Sequence, residues 1–286
     1  MNIAFVTDSG TGKSKEYWAE QGIYSLPLQI EVNGHSFDEE ENIMIPDVLN
    51  YLHANVPMKT SLPKLGEIED LFESLKEKGY DTIFAVPICT GLSSTMNALE
   101  MAANMLGLEF IGIDCYTTAV VQGEMILTAK KMWESGHSID EIVRMLNRIA
   151  DSCDTILLVD DLNHLKQGGR LTPMAAALGG LLKIKPVLHL DMETEGRIDA
   201  LAKVRTMSKA QDYVINRLKE IGVNKDYTII VAHVDAKEAA EKYSEKIRKA
   251  IEGAKIRLID LVSTVSIHTG LGCLAVEAFL PYEKQK

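Results

Sequence analysis

Several short segments place hydroxyl-bearing residues where a strand gives way to a helix. There, free backbone N–H groups and a positive dipole end can meet an anion. Thr7-Asp8-Ser9-Gly10-Thr11-Gly12-Lys13-Ser14 ends on the Gly-Lys-Ser of a phosphate loop. Thr7 holds the place of that loop's first glycine, which removes the room for backbone to wrap a β-phosphate. The plainer reading is a glycine-rich turn in which Ser14 caps a helix. Gly91-Leu92-Ser93-Ser94-Thr95 has the outline of a G-x-S-x-G nucleophile elbow, with Thr95 in place of the last glycine. His268 lies far downstream with many aspartates between. A serine hydrolase or esterase using Ser93 and His268 is therefore one reading, although no H-G-G-G oxyanion segment accompanies it. The other reading makes Ser93 and Ser94 hydroxyl donors at the start of a helix, where a carboxylate or phosphate binds without nucleophilic chemistry.

Thr60-Ser61-Leu62-Pro63 also precedes a helix and stacks two hydroxyls. Alone it is a capping segment; paired with Ser93 it would close a polar mouth from the other side. In Leu165-Lys166-Gln167-Gly168-Gly169-Arg170, two glycines allow positive φ and close backbone approach. They deliver an arginine able to fork onto a carboxylate or phosphate. His268 stands in Ser266-Ile267-His268-Thr269-Gly270, beside apolar residues. The other histidines show no H-x-x-x-H or H-x-E pattern, so no metal site is expected, and no catalytic residue outside the hydrolase reading.

The elements that must position these residues alternate along the chain. At 286 residues and 46% hydrophobic composition, the chain is long enough for about two domains or one large α/β unit. A net charge of −11 argues against nucleic acid and anionic membrane surfaces as partners. The N-terminus lacks a signal-peptide pattern, and no apolar run approaches the ~20 residues of a membrane span. Cys89, Cys115, Cys153 and Cys273 are scattered and read as reduced core thiols of a cytoplasmic protein.

Strands are expected at 2–7, 25–32, 82–87, 110–114 and 155–159, with helices at 14–21, 46–54, 64–78, 93–106, 117–135 and 138–150. The helix at 64–78 carries an apolar stripe of Leu65, Ile68, Leu71, Phe72 and Leu75, and Ser138 with Glu141 forms a capping box. This β-α-β alternation demands a parallel sheet flanked by helices. Beyond residue 160 the pattern changes. An Ala-rich helical stretch spans 174–182 and paired strands at 185–190 and 197–204 surround a Glu195-Gly196 turn. A helix at 208–221, a strand at 227–233, a helix at 236–250 and strands at 255–261 and 273–280 follow. The fold class is α/β with two lobes, at 1–155 and 156–286, and a ligand cleft between them.

Taken together, these segments resemble the DegV family of bacterial lipid-binding proteins. The carriers of the resemblance are Val6-Thr7-Asp8-Ser9, Thr60-Ser61-Leu62-Pro63, Leu92-Ser93-Ser94-Thr95, Asp161-Leu162, Leu165-Lys166 with Gly168-Gly169-Arg170, Leu182-x-Ile184-Lys185-Pro186 and Lys203-Val204-Arg205. The resemblance spans 2–281. It implies a DegV-like fold with a helix-flanked parallel sheet in the N-terminal lobe and a smaller mixed α/β C-terminal lobe. It further implies a non-catalytic fatty-acid-binding subunit of a bacterial fatty acid kinase serving phospholipid metabolism, with no cofactor. A long-chain fatty acid would be the ligand, and a separate kinase subunit would phosphorylate its carboxylate. Thr60 and Ser93 would hold the carboxylate, Ser61, Ser94, Arg170 and His268 would complete a polar network, and Arg205 would face the kinase. Ser94 stands where the family has Gly, and Leu62 where it has a more polar residue. The Leu-rich stretch 178–182 and the 12 methionines would suit an adaptable apolar tunnel.

Overall fold

In the computed structural model, residues 1–160, 162–178 and 184–285 are described. The first half runs β1 (Ile3–Asp8), α1 (Lys15–Glu20), β2 (Tyr24–Leu26), β3 (Gln29–Val32), β4 (His35–Asp38), α2 (Ile45–His53), β5 (Met58–Ser61), α3 (Leu65–Glu77), β6 (Thr82–Ala85), α4 (Thr95–Met105), β7 (Glu109–Gly112), α5 (Ala119–Glu134) and α6 (Ile139–Asp151). The second half runs β8 (Asp154–Leu158), α7 (Asn163–Gly168), α8 (Pro173–Ala177), β9 (Lys185–Leu190), β10 (Asp199–Val204), α9 (Met207–Glu220), β11 (Thr228–His233), α10 (Lys237–Ala250), β12 (Lys255–Asp260), α11 (Ser263–Thr269) and β13 (Leu274–Phe279).

β1 is apolar up to Thr7 and buried throughout, as a strand covered on both faces must be. It pairs in parallel with β2 and β6, and β6 with β7, giving the order β2-β1-β6-β7. On one face α3 and α4 bury Ile68, Phe72, Leu75 and Leu99 against Ala4, Val6, Ile83 and Ala85. On the other, α1 and α5 bring Trp18, Val121, Met125 and Ile126 onto Phe5 and Phe84. The stripe on α3 is buried at Ile68, Phe72 and Leu75, but Leu65 is 60% exposed, because the first helical turn projects beyond the sheet. The capping box at α6 is present, with Ser138 and Glu141 satisfying each other's backbone N–H groups.

The run at 25–32 is two strands rather than one. Pro27, which has no N–H to give a ladder, separates β2 from β3. β3 turns through Asn33-Gly34 into β4 and also pairs with β5, forming a small antiparallel sheet β4-β3-β5. Thr60 and Ser61 are therefore strand residues, not helix caps.

The strand at 154–158 does not continue the parallel sheet. It sits within a six-stranded mixed sheet of order β10-β9-β8-β13-β11-β12, in which only β11 and β12 are parallel. The short connections at β9–β10 and the long return to β13 permit antiparallel pairing where a crossover helix would have enforced the parallel kind. α9 and α10 cover one face with Val214, Leu218, Tyr243 and Ile247. The other face, with Leu157, Leu188, Ile230 and Phe279, shares one apolar core with the α5 side of the first sheet. Among the motifs singled out above, Asp161 and residues 179–183 lie outside the described residues.

Two loops meet closely between the sheets. A Cβ at Gly91, after β6, would stand 2.2 Å from the Gly196 carbonyl carbon in the β9–β10 turn. Gly196 itself is left-handed (φ 69°) and packs on Cys89, whose Sγ is 3.5 Å from the Gly196 oxygen. The atoms facing Gly91 are backbone, which yields little. Gly91→Ala is therefore expected to lower stability by about 1–3 kcal/mol, read as a lower urea midpoint with an unchanged slope.

Candidate functional site

The residues of the slot arrive from four elements. β5 carries Thr60 and Ser61, and the loop after β6 carries Ile88, Leu92 and Ser93. α7 and the residue beyond its glycine cap carry Leu165 and Arg170, and α11 carries Thr264, Val265, His268 and Thr269. Together with Leu28 and Ile198 they line a pocket of about 490 Å³. A second, deeper pocket of about 460 Å³ lies between the sheets, lined by Leu157, Leu190, Ile230, Ala232, Ile259, Leu261 and Ala275 among others. Leu92, Ile198 and Val265 line both, so the hydroxyl-rich pocket abuts the deeper apolar one across these three side chains. A wider cavity of about 900 Å³ opens outside the slot, with Lys59, His164, Gln167 and Arg170 on its wall beside Leu52, Met58 and Ile267.

His268 Nε2 and Thr60 Oγ1 share a hydrogen bond of 2.7 Å. Burial, then the positive Arg170 and the neighbouring His164, push the His268 pKa down to about 4, so the ring is neutral at pH 7. Arg170 Nε donates to the Leu92 carbonyl oxygen at 3.3 Å, and its Nη1 donates to the Gly168 oxygen. The guanidinium thus anchors the residue before Ser93 while remaining on the pocket wall. A Cβ at Gly168 would stand 2.0 Å from His268 Nδ1, which is why a glycine is needed there.

Helix α4 begins at Thr95, not Ser93. Ser93 Oγ lies 2.8 Å from Thr95 Oγ1 and accepts from the Thr95 N–H at 3.3 Å. It lines the slot opposite Thr60. Ser94 is the N-cap residue, exposed and without a side-chain capping bond. It is not among the lining residues, so the structure does not bring it to the polar group. Thr60, Ser61, Ser93, Arg170 and His268 are brought together there. Arg205 is exposed just after β10 and lines no described pocket. Thr264 and Thr269 join the lining unanticipated. Their only signal was their spacing around His268 on a segment not recognised as a helix.

The hydrolase reading is not favoured. The hydrogen-bonding partner of His268 Nε2 is Thr60 rather than Ser93. Its neighbours are Arg170 and His164 rather than a carboxylate, so the ring lacks the orienting acid and the basicity a triad needs. The phosphate-loop reading also gives way. Ser14 Oγ accepts from the Tyr17 N–H at 3.3 Å as an ordinary cap of α1, and the preceding residues turn inward.

Those inward residues hold the site up. Asp8 accepts from Ile88 N at 2.9 Å, Gly10 N at 2.9 Å and Gln122 Nε2 at 2.8 Å. Burial pushes its pKa up to about 6 against those bonds. Ser9 Oγ donates to Glu39 Oε2 at 2.6 Å and accepts from Leu28 N at 2.9 Å. Glu39 Oε1 in turn accepts from Thr264 N at 2.6 Å, pinning the start of the helix that carries His268. Glu39 is fully buried, and desolvation raises its pKa to about 8. At the deep pocket, Glu277 accepts from Thr117 Oγ1 at 2.9 Å and Thr155 Oγ1 at 3.3 Å, and burial raises it to about 7. Nothing at sequence level marked Glu39 or Glu277, because their partners lie far away along the chain.

Comparisons with known proteins agree with this architecture. A family model described as "Uncharacterised protein, DegV family" matches residues 2–280. A DegV domain-containing protein of Staphylococcus aureus is 28% identical over 272 residues, covering 95% of this chain and 96% of its own. One from Listeria innocua is 30% identical over 281 residues, covering 96% and 97%. Among solved structures, a fatty acid binding DegV family protein from Streptococcus agalactiae superposes with a TM-score of 0.88 at 28% identity, over 98% of this chain and 99% of that one. DegV from Bacillus subtilis, described as a fatty acid binding protein, gives 0.84 at 28% identity, over 98% and 99%.

The Glu39 carboxyl gives a test by pH. Its folded pKa of about 8 exceeds the ordinary 4.5, so across that window the folded chain keeps a proton that the unfolded chain has released. Its contribution is therefore complete at low pH and is lost as pH rises through 8. Glu277 and Asp8 act in the same direction over lower windows. His268 opposes them below pH 6.5, where the unfolded ring is protonated and the folded ring is not. Between about pH 6.5 and 8.5 the urea midpoint should fall, and Glu39→Gln should flatten that fall. An equal slope in both proteins would refute the assignment.

Proposed function

Because the chain belongs to the DegV family, we propose that it binds a long-chain fatty acid in the slot between its sheets. Thr60 and Ser93 hold the carboxylate, with Ser61, Arg170 and His268 around it. The acyl chain runs past Leu92, Ile198 and Val265 into the deeper pocket. The observation that carries this reading is the adjacency of two apolar pockets that share Leu92, Ile198 and Val265, the outer one carrying Thr60, Ser61 and Ser93. The fatty-acid binding ascribed to the relatives from Streptococcus agalactiae and Bacillus subtilis supports it.

Magnitudes divide the labour. Burying about 15 methylenes at ~0.8 kcal/mol each offers roughly 12 kcal/mol before ordering costs. A hydrogen bond to a charged group adds about 1.5–3 kcal/mol. The tail supplies affinity, while the hydroxyls and Arg170 set which end stays outside. A neutral His268 serves this arrangement as a hydrogen-bonding wall for Thr60 rather than as a second cation or a base.

In this reading the chain is a carrier and not an enzyme. The bound carboxylate faces the outer polar cavity, where a separate kinase subunit would phosphorylate it to an acyl phosphate. Arg205, exposed after β10, is a contact offered to that partner. No helix among the described residues is long and apolar enough to cross a membrane.

Protein purified from a bacterial host should release a long-chain fatty acid on organic extraction, at about one per chain by mass spectrometry. After delipidation, the Ser93→Ala, Thr60→Val pair should weaken binding of a long-chain acid by roughly a hundred- to ten-thousandfold. Val265→Trp, which fills the passage between the two pockets, should weaken it further. A delipidated protein that refuses long-chain acids, or a plugged variant that binds as well as its parent, would sink the proposal.

A further inference from the structure

Away from the acyl slot, the α9-covered face of the six-stranded sheet ends in a cluster of ligand-type side chains. Ile156, Leu158 and Val187 on that face are buried against α9 and α10. Side chains alternate along a strand, so Asp154 shares the face of Ile156, and His189 and Asp191 share that of Val187. β8 and β9 are antiparallel with Thr155 opposite Leu190, which makes Asp154 and Asp191 the next cross-strand neighbours. Two like charges so placed repel unless a cation answers them.

Arg217 and, when protonated, His189 are the cations that face that charge. Arg217 Nε, from α9, pairs with Asp154 Oδ2 at 3.0 Å. Asp191 Oδ1 accepts from Thr194 N at 2.9 Å, leaving Oδ2 turned toward His189. Asp154 Oδ1 and His189 Nδ1 are buried and, among the described residues, receive no hydrogen bond. Nδ1 lies 3.4 Å from Asp191 Oδ2, at ion-pair range but without hydrogen-bond alignment, and 4.0 Å from Asp154 Oδ1. The Asp154 side chain is only 5% exposed, and it lines the same cavity as Asp191.

We propose that Asp154 Oδ1, His189 Nδ1 and Asp191 Oδ2 bind one divalent transition-metal ion of the Zn²⁺ class. All three atoms lie within 4.8 Å of one another. A tetrahedral ion with bonds of about 2.0–2.2 Å needs its ligand atoms roughly 3.3–3.6 Å apart; the His189 separations of 3.4 and 4.0 Å are at or near that range, and the two carboxylates, within 4.8 Å, would have to close on the ion by up to about an ångström. One imidazole and two carboxylates suit Zn²⁺ or its first-row neighbours, whereas Mg²⁺ and Ca²⁺ prefer sets made of oxygen alone. The fourth position opens on a polar cavity of about 620 Å³ lined by Asp151, Met192, Glu193 and Tyr227 among others. A water fits there, and the acidic rim favours entry of a cation. The bound ion would tie β8 to β9 at the sheet end where α9 docks. Sequence inspection led to the expectation of no metal because two ligands are spaced for a strand face and the third joins only through strand pairing.

The test uses the full chain, stripped with a chelator, re-equilibrated with Zn²⁺ and passed through a desalting column. About one zinc per chain should remain by elemental analysis, falling to background in Asp191→Asn and in His189→Gln, each checked as folded by circular dichroism. The unmodified protein loaded with Co²⁺ should show the visible absorption of a four-coordinate N/O site. If the parent retains no zinc and shows no such band, the cluster is a salt-bridged network and the proposal is wrong. It is equally wrong if both folded variants retain zinc as well as the parent, since the ion then sits elsewhere.

Discussion

An aliphatic slot between two packed sheets survives only if something other than apolar contact sets the distance between its walls. Apolar side chains left to themselves close on each other, since interiors pack to the density of organic crystals. Here the spacing is held by buried carboxylates at the ends of the slot. Glu39 ties Ser9, at the end of β1, to the first turn of α11. Asp8 ties the same strand end to the loop before Ser93 and to α5. Glu277, on β13, reaches across to Thr117 in the segment before α5. Each joins elements that belong to different layers.

Such hubs are costly to desolvate, and the pKa values record it. Asp8, Glu39 and Glu277 are all raised by burial, and in each case the hydrogen bonds that hold the carboxyl work against that shift. A neutral carboxylic acid can both accept and donate, so partial protonation lets each hub satisfy hydroxyl and N–H partners without a buried unpaired charge. The polar end of the slot follows the same economy. His268 is kept neutral by burial beside Arg170, leaving that arginine as the cation on the pocket wall, already aimed by the Leu92 and Gly168 carbonyls. In the proposed complex an anionic head group would meet a prepared positive field with hydroxyls at its flanks, and its tail would meet aliphatic wall. Orientation and affinity come from different parts of one cavity.

The segments that looked like chemistry divide by the same logic. Thr7-Asp8-Ser9 and Gly10-Thr11-Gly12 stand at the end of a parallel strand, where many folds bind phosphate. In this chain the carboxylate and hydroxyl of that turn point into protein and brace the slot. Gly91-Leu92-Ser93 resembles a nucleophile elbow, but the histidine that would serve it bonds to Thr60. Motif and position agree with enzymes in both places; the partners do not.

What the sequence alone determined is what depends on near neighbours. The apolar stripe of α3, the capping box of α6, the Ser14 cap, the β9–β10 turn at Glu195-Gly196 and the alternation up to α5 are set by spacing within a turn or a strand. The ordered motifs around Thr60, Ser93 and Arg170 likewise marked the family. Only the tertiary structure decided that Pro27 splits one apolar run into strands of two sheets. It alone decided that Thr60 stands on β5 facing His268, that Ser94 faces away, and that β8 joins the mixed sheet. Hydrogen bonds such as Glu39 to Thr264, and the meeting of Asp154 with Asp191, join residues far apart in the chain. Nothing in local spacing specifies them, because they exist only once strand register and helix docking have brought their carriers within a few ångströms.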